Sequence, residues 1–555
     1  MMIKYANHLI SLIPAMWLTS YLNGIHKLLL PVLSGLLLSL SFLNHDYFYC
    51  AWFGLVPLFI AIKNSSLLTS YLIGLIAGLT LFITSTYWIL DFIELSKDYG
   101  VQSGYLLAGL YWFYSAHLIA LTVLLFKWLN RYSHVSEFIT LPVIFVVFFS
   151  CFPMLFPMRL ADTQVNFPSA LQGIAYVGAH GLDAIIILGN LILFRLLVAS
   201  FSPSNKSSSN SKFSIILAIS VIALWFLYGV NSYSLWQNNI QTWETLKVGL
   251  VQANEVPKLG GRVQYPGYSQ TYPPEMDMTE RLSSAGAELI IWPEAQTKYY
   301  LDNSTVQQAY QKNIQALNTH LLFQDMQHIH NPIDGKPLKQ FNSAIMLNNH
   351  GQQVDTYQKM KRIPFGEYAP FIEYNLTASK WMASLFGEFT SGLSQGQQHK
   401  IFHHPKVNII PLICYETTFS EFVAKAVDHT PNTLTSGSIL VGLSNDGWFG
   451  STHLPYQHIM PSVLRAVENR LPLVHVANNG PSIVVTPNGE VIFTSDFQQA
   501  AGYVVDVPYS NTAQGSFYSR YPALLTDSFV ILFLIIMGLA LKQRILRKIT
   551  AHSLE

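Results

Sequence analysis

Asn408-Ile-Ile-Pro-Leu-Ile-Cys-Tyr-Glu-Thr417 begins as an apolar run and ends abruptly in a thiol, a phenol and a carboxylate. A short apolar run bounded by polar residues reads as a buried strand. A thiol at the tip of such a strand, two residues from Glu416, is a placement suited to a nucleophile. The competing reading is a structural cysteine, because free Cys is among the most buried residue types. What surrounds the stretch decides between the two.

Outward from it, short β-like runs recur at 247–252, 288–292, 341–347, 407–413, 439–443, 473–477 and 483–486. Helical periodicity lies between some of them, at 305–317 and 456–469, and Pro487-Asn-Gly-Glu490 marks a turn. Strands alternating with helices predict a layered α/β domain. The sequence holds no internal repeat, and Gly260-Gly261 lacks the spacing of a phosphate loop.

The flanks differ in kind. Of 555 residues 50% are hydrophobic and 11% charged, with a mean hydropathy of +0.30; soluble domains carry about 25% charged residues. Spanning helices need roughly 17–25 residues. Apolar segments are read as spans at 28–43, 47–62, 67–92, 104–126, 137–156, 171–198 and 213–231, with a last one at 522–541. The expected organisation is a lead-in at 1–27, a seven-helix bundle at 28–234, a polar α/β domain at 235–512, and a final span with a basic tail at 513–555. Segment 203–212 is a Ser-rich linker.

Charge orients the bundle. With the N-terminus inside, the inner loops hold Lys4, Lys27, Lys63, Lys127, Arg131, Lys206 and Lys212, and the tail adds Lys542, Arg544, Arg547 and Lys548. The outer loops before the large domain hold Lys97 and Arg159. The positive-inside bias therefore puts the α/β domain on the outer face. A net charge of +1 argues against a broad nucleic-acid surface. Cys50, Cys151 and Cys414 make no disulfide framework or zinc pattern, and neither a metal nor a cofactor is expected.

Two further strand ends turn suddenly polar: Leu289-Ile-Ile-Trp-Pro-Glu294, and Tyr357-Gln-Lys359 followed by Pro364-Phe-Gly-Glu367-Tyr368. With Cys414 they could form a nucleophile set. The carboxylate takes the thiol proton, and the ammonium lowers the thiol pKa and steadies an oxyanion. Each also has a plainer reading. Glu294 could cap the turn after Pro293, and Lys359 could be a strand-edge lysine like Lys361 and Arg362.

These three blocks resemble the signatures of the nitrilase, or carbon–nitrogen hydrolase, superfamily. Ser444-Asn-Asp-Gly-Trp-Phe-Gly450, Tyr456-Gln-His458, Arg465-Ala-Val-Glu-Asn469 and Asn478-Asn-Gly480 add to the likeness. Pro-Phe-Gly-Glu-Tyr, Trp-Phe-Gly and the flanking spans are similar to the membrane-bound branch, the bacterial apolipoprotein N-acyltransferases. The resemblance runs from about 28 to 541, more softly at 172–190. It implies an α-β-β-α sandwich on a bundle of about eight transmembrane helices. It implies Glu294 as general base, Lys359 at the oxyanion and Cys414 as acyl-accepting nucleophile. Glu367 and Glu416 would support them, and Tyr415 and Trp448 would line the site, with the Tyr415 N–H as a further oxyanion donor.

The chain departs from that pattern in places. The region Val251-Gln-Ala-Asn-Glu-Val-Pro257 lacks the branch's usual Trp, for which Tyr265 or Tyr268 would substitute, and Ala295-Gln-Thr-Lys-Tyr-Tyr300 replaces a small residue and Pro. The implied activity is ping-pong transfer of an acyl chain from a phospholipid to the N-terminal amine of a diacylated apolipoprotein. The enzyme would be a monomer in the bacterial inner membrane with its catalytic domain on the periplasmic face. A loop at 371–389, with Phe371, Trp381, Leu385 and Phe386, is expected to dip into the lipid. The alternative is a membrane-tethered amidase in which water resolves the thioester. A transporter reading would need ionisable groups inside spans, and only Asp183, Arg195, His117 and Glu137 come near to that.

Overall fold

The computed structural model describes residues 25–97, 101–201, 209–256, 265–295, 297–331, 337–370, 377, 392–430, 436–512 and 515–552. Most of the lead-in and the loop expected to dip into lipid lie outside these residues.

Long apolar runs poor in charge make the first part helical: α1 (Ile25–Leu43), α2 (Val56–Ile62), α3 (Leu67–Ser85), α4 (Ile89–Lys97), α5 (Val101–Tyr132), α6 (Glu137–Cys151), α7 (Ile174–Phe201) and α8 (Ser209–Ile240). Among the described residues six helical segments, not eight, are long and apolar enough to cross a membrane: His45–Ile62, Leu67–Ser85, Gln102–Tyr132, Ile174–Phe201, Lys212–Ile240 and Leu524–Thr550. The other two expected spans appear as the shorter apolar helices Lys27–Leu43 and Glu137–Cys151. The expected span 67–92 is broken after Ser85. Thr84, Ser85 and Thr86 turn their hydroxyls onto the carbonyls of Thr80, Leu81 and Phe82, and α4 starts afresh at Ile89.

Small residues let α3 and α5 approach closely. A Cβ on Gly78 would lie 2.6 Å from the Ala116 carbonyl oxygen. Phe213, Ile216, Leu224 and Leu227 of α8 point outward, an apolar exposure of the kind that faces lipid. Two of the ionisable groups weighed as intramembrane candidates find partners. Arg195 pairs with Glu137, and Asp183 accepts the Ala161 N–H at 2.8 Å.

The α/β domain holds β1 (Glu244–Gln252), α9 (Pro274–Ser284), β2 (Leu289–Ile291), α10 (Ser304–Leu317), β3 (His320–His330), β4 (Pro337–Leu347), β5 (Gln353–Gln358), β6 (Phe402–His403), β7 (Asn408–Ile413), α11 (Ser420–Asp428), β8 (Ser438–Ser444), α12 (Leu454–Asn469), β9 (Leu473–Ala477), β10 (Ile483–Val485), β11 (Val491–Thr494) and β12 (Ala501–Tyr509). α13 (Phe517–Arg520) and α14 (Leu524–His552) follow. Two six-stranded sheets form, ordered β12-β1-β2-β3-β4-β5 and β11-β10-β9-β8-β7-β6. Alternation along each strand fills two layers at once. Ile409 and Ile413 of β7 enter the core between the sheets with Val248, Ile291 and Met346. Ile410 and Leu412 face the other way, into a core shared with α11, α12 and the helical bundle. The outer face of the first sheet is covered by α9 and α10 through Met276, Tyr310 and Ile314.

Buried hydrogen bonds join the two parts. Arg470 donates to the Gln172 side chain at 2.7 Å and its carbonyl at 3.0 Å. Glu468 accepts the Ala179 N–H at 2.8 Å. Gln457 on α12 accepts the Trp88 indole N–H at 3.0 Å and donates to the Ser85 carbonyl at 2.9 Å. The 172–190 likeness is thus partly a docking motif. Gln172 serves Arg470, and Asn190 caps Leu55 and Ala51 inside the bundle.

Candidate active site

β2 and β7 stop where their apolar runs stop, and β5, a mostly polar strand, stops beside them. β2 ends at Ile291, β5 at Gln358 and β7 at Ile413, and the residues that follow carry Glu294, Lys359 and Cys414 to one place. The Lys359 ammonium lies 2.7 Å from Glu367 and 3.9 Å from Glu294. Glu294 also accepts the Asn342 side-chain N–H at 2.6 Å and lies beside the Cys414 thiol. Glu367 uses its other oxygen to accept the Ile363 N–H at 2.8 Å.

Glu416 has a different task. One oxygen accepts the Met360 N–H at 2.7 Å, the Lys361 N–H at 3.0 Å and the Tyr357 hydroxyl at 2.8 Å; the other accepts the Ile413 N–H at 2.8 Å. It therefore ties the chain just after Lys359 to the chain just before Cys414. The tie holds a strained turn: Cys414 has φ +50°, left-handed for a residue with a side chain. Such a conformation costs about 1–3 kcal/mol and persists only when its surroundings over-determine it.

A second prop comes from below. His458 lies against the Cys414 backbone and holds the Asp446 carboxylate at 2.7 Å. Asp446, His458 and His475 bring three metal-capable donor atoms within 4.8 Å of one another. Each of these side chains already has a protein partner: Ser444 donates to Asp446 at 3.1 Å, and Ser462 and His475 are bonded at 2.9 Å. Asp446 is held below its ordinary range, because His458 and the Ser444 bond outweigh burial; the same carboxylate raises His458.

Burial pushes the Glu294 carboxyl above its usual range, against the pull of Lys359. Burial would lower Lys359, but Glu367, Glu294 and Cys414 outweigh it and keep the ammonium charged. The expectation that Lys359 lowers the thiol pKa is corrected in the balance. Lys359 does pull that way, but burial and the Glu294 charge carry Cys414 well above the ordinary thiol value.

The thiol opens into a cavity of ≈ 70 Å³. Tyr415, Ile363 and His458 line it on one side, and Phe42, Trp88, Phe156 and Met158 from the bundle line it on the other. The Tyr415 hydroxyl donates to the Leu155 carbonyl at 2.6 Å, which fixes the ring against the loop after α6. Phe449 lines the cavity, whereas its neighbour Trp448 packs in the apolar cluster around Trp88 and Ile89. Neither Tyr265 nor Tyr268 is among the lining residues described. Asn342 and His458 went unassigned in the sequence. Asn342 is a polar residue inside the apolar run of β4, and that interruption was its signal.

A family model described as apolipoprotein N-acyltransferase N-terminal domain matches residues 34–192, and one described as carbon-nitrogen hydrolase matches residues 237–514. Apolipoprotein N-acyltransferase of Geobacter metallireducens is 28% identical, over 89% of this chain and 91% of its own. That of Chlorobaculum tepidum is 25% identical, over 89% and 93%. That of Rickettsia prowazekii is 24% identical, over 94% and 99%. Among solved structures an amidase from Nesterenkonia sp. matches at 16% identity and a TM-score of 0.35, covering 51% of this chain and 96% of that one. The chain belongs to the carbon–nitrogen hydrolase family, in its membrane-bound apolipoprotein N-acyltransferase branch.

Proposed function

We propose that this enzyme moves an acyl chain from a membrane phospholipid to the N-terminal amine of a diacylglyceryl-cysteine on an apolipoprotein, through a thioester on Cys414. The observation that carries the reading is the cavity at the sulfur. Phe42, Trp88, Phe156, Pro157 and Met158 of the helical bundle give it an apolar wall, a surface suited to a fatty chain and poor for a hydrated substrate.

In the first half-reaction Glu294 takes the thiol proton as sulfur attacks the ester carbonyl. The oxyanion forms beside the Lys359 ammonium, with the Tyr415 N–H as second donor. Its collapse breaks the ester C–O bond, and the lysophospholipid leaves with the proton returned by Glu294. In the second, the amine attacks the thioester carbonyl, Glu294 accepts the ammonium proton, and as the C–S bond breaks it passes that proton to sulfur, which restores the thiol and the carboxylate. Glu367 keeps Lys359 pointed inward; Glu416 keeps Cys414 and Lys359 in register.

The charge bias of the loops supports a bundle of eight membrane segments, with the α/β domain of 235–512 on the outer face of a bacterial inner membrane. Both substrates are lipids anchored in that membrane, and no second subunit is required. The test is to incubate purified enzyme with phospholipid and a diacylated lipopeptide and weigh the peptide. A gain of one acyl chain, with an acyl-thioester trapped on Cys414, is expected. Amide hydrolysis without that gain would make the enzyme an amidase instead.

A further inference from the structure

We propose that a pocket at the end of the bundle remote from Cys414 binds the phosphate headgroup of an anionic lipid. The position follows from α3. Its last residue, Ser85, bonds Gln457 of the catalytic domain, while Ser66 and Leu67 at its start line the pocket. Nineteen helical residues span about 28 Å, close to the roughly 30 Å of a hydrocarbon core. The pocket therefore sits one membrane thickness from the catalytic domain, at the level of the opposite lipid phosphates.

Its lining is amphiphilic. Lys63, Lys127, Arg131 and Arg195 converge on a space of ≈ 410 Å³, with Glu137 as the one carboxylate. Arg195 is paired with Glu137, which leaves three positive charges. The Lys127 ammonium donates to the Ile62 and Lys63 carbonyls at 2.9 and 3.0 Å, capping α2, and retains a third donor. Lys63 and Arg131 are exposed and have no carboxylate partner among the described residues. Phe59, Phe126 and Phe194 complete the wall. Converging cations above an apolar wall match a phosphodiester that carries its own acyl chains, and basic pockets between helices at a membrane face hold such headgroups. Inorganic phosphate shares the charge but has nothing to place against the phenylalanines.

The test uses the full chain in detergent and dialkyl-ether phosphatidylglycerol, which cannot donate an acyl group. Bound lipid is counted by native mass spectrometry, with Cys414-dependent acyl transfer measured in parallel. The double variant K63S/R131Q should weaken one phosphatidylglycerol adduct roughly twenty-five-fold, about fivefold for each lost cation. Acyl transfer should stay unchanged, and the charge-keeping K63R/R131K should bind as the parent does. Equal adducts in parent and K63S/R131Q would overturn the proposal. So would dialkyl-ether phosphatidylcholine binding as tightly, or inorganic phosphate displacing the lipid at matching concentration. Because transfer is read separately, failure here leaves the chemistry at Cys414 standing, and the reverse also holds.

Discussion

Lys359 and Lys298 are each 1% exposed, and each lies among two carboxylates. Lys359 has Glu294 and Glu367; Lys298 has Glu255 at 3.4 Å and Glu275 closer still. The two lysines come from the same sandwich, and Lys298 is only four residues beyond Glu294. By burial and charge they are the same object. What separates them is a thiol on a strained turn and a cavity beside it, which Lys359 has and Lys298 lacks. The loop of Lys298 is instead knotted to Asp325, which accepts the N–H groups of Lys298, Tyr299 and Leu301 at 2.7, 3.1 and 3.0 Å. Buried ion pairs mark functional sites only when something reactive faces them.

The comparison can be broken most directly at the sulfur. Cys414→Ala should reduce acyl transfer about 10⁴-fold or more while the protein still inserts and folds; near-normal turnover in the lipopeptide assay would end the covalent scheme. Next come the lysines. Lys359→Arg should lose at least about a hundredfold in turnover, because a planar guanidinium does not replace a point charge. Lys298→Met should instead lose about 3–5 kcal/mol of stability by stranding two buried carboxylates, with turnover per folded molecule retained. Thermal melting and single-turnover assays of both variants would distinguish the roles, and the reverse pattern would mean they had been exchanged.

A third test sharpens the electrostatics. Glu294 must be ionised to act as base, and its pKa is raised by burial, so activity is present above that raised value and falls as pH drops through it. The acid limb of the pH–rate profile should therefore lie above the ordinary carboxylate range. Glu294→Gln should abolish that limb along with about 10²–10⁴ of rate. The smallest effect is expected at Tyr415→Phe. Losing the bond to the Leu155 carbonyl should cost about 1 kcal/mol of stability, measured by denaturation in detergent.

Much of this was legible in residues whose local pattern is abrupt. Apolar runs ending in Glu294 and Cys414 named two strand ends, the polar block Tyr357-Gln-Lys359 marked the third, and the three do converge. β7, β8 and β9 were readable as continuous apolar strands. β12 was not, because its buried and exposed residues alternate without a strong apolar signal. The break of α3 at Ser85 was hidden because hydropathy continues through it, while hydroxyl back-bonding does not register in an apolar count. His458 was visible as a residue but not as a prop for Cys414. Its importance depends on a contact between α12 and the end of β7, forty-four positions apart, which no periodicity encodes.

The walls of the cavity have an implication for how the protein can be divided. Cutting the chain near residue 235 would leave a sandwich with Cys414 in place but its pocket unroofed, since Phe42, Trp88, Phe156 and Met158 would be gone. Gln457 would meanwhile lose the indole and the carbonyl it now holds. The bundle is thus more than an anchor that brings a soluble enzyme to its lipid. It forms one side of the cavity at Cys414, and on the proposed function neither fragment would be expected to regain activity until mixed with the other.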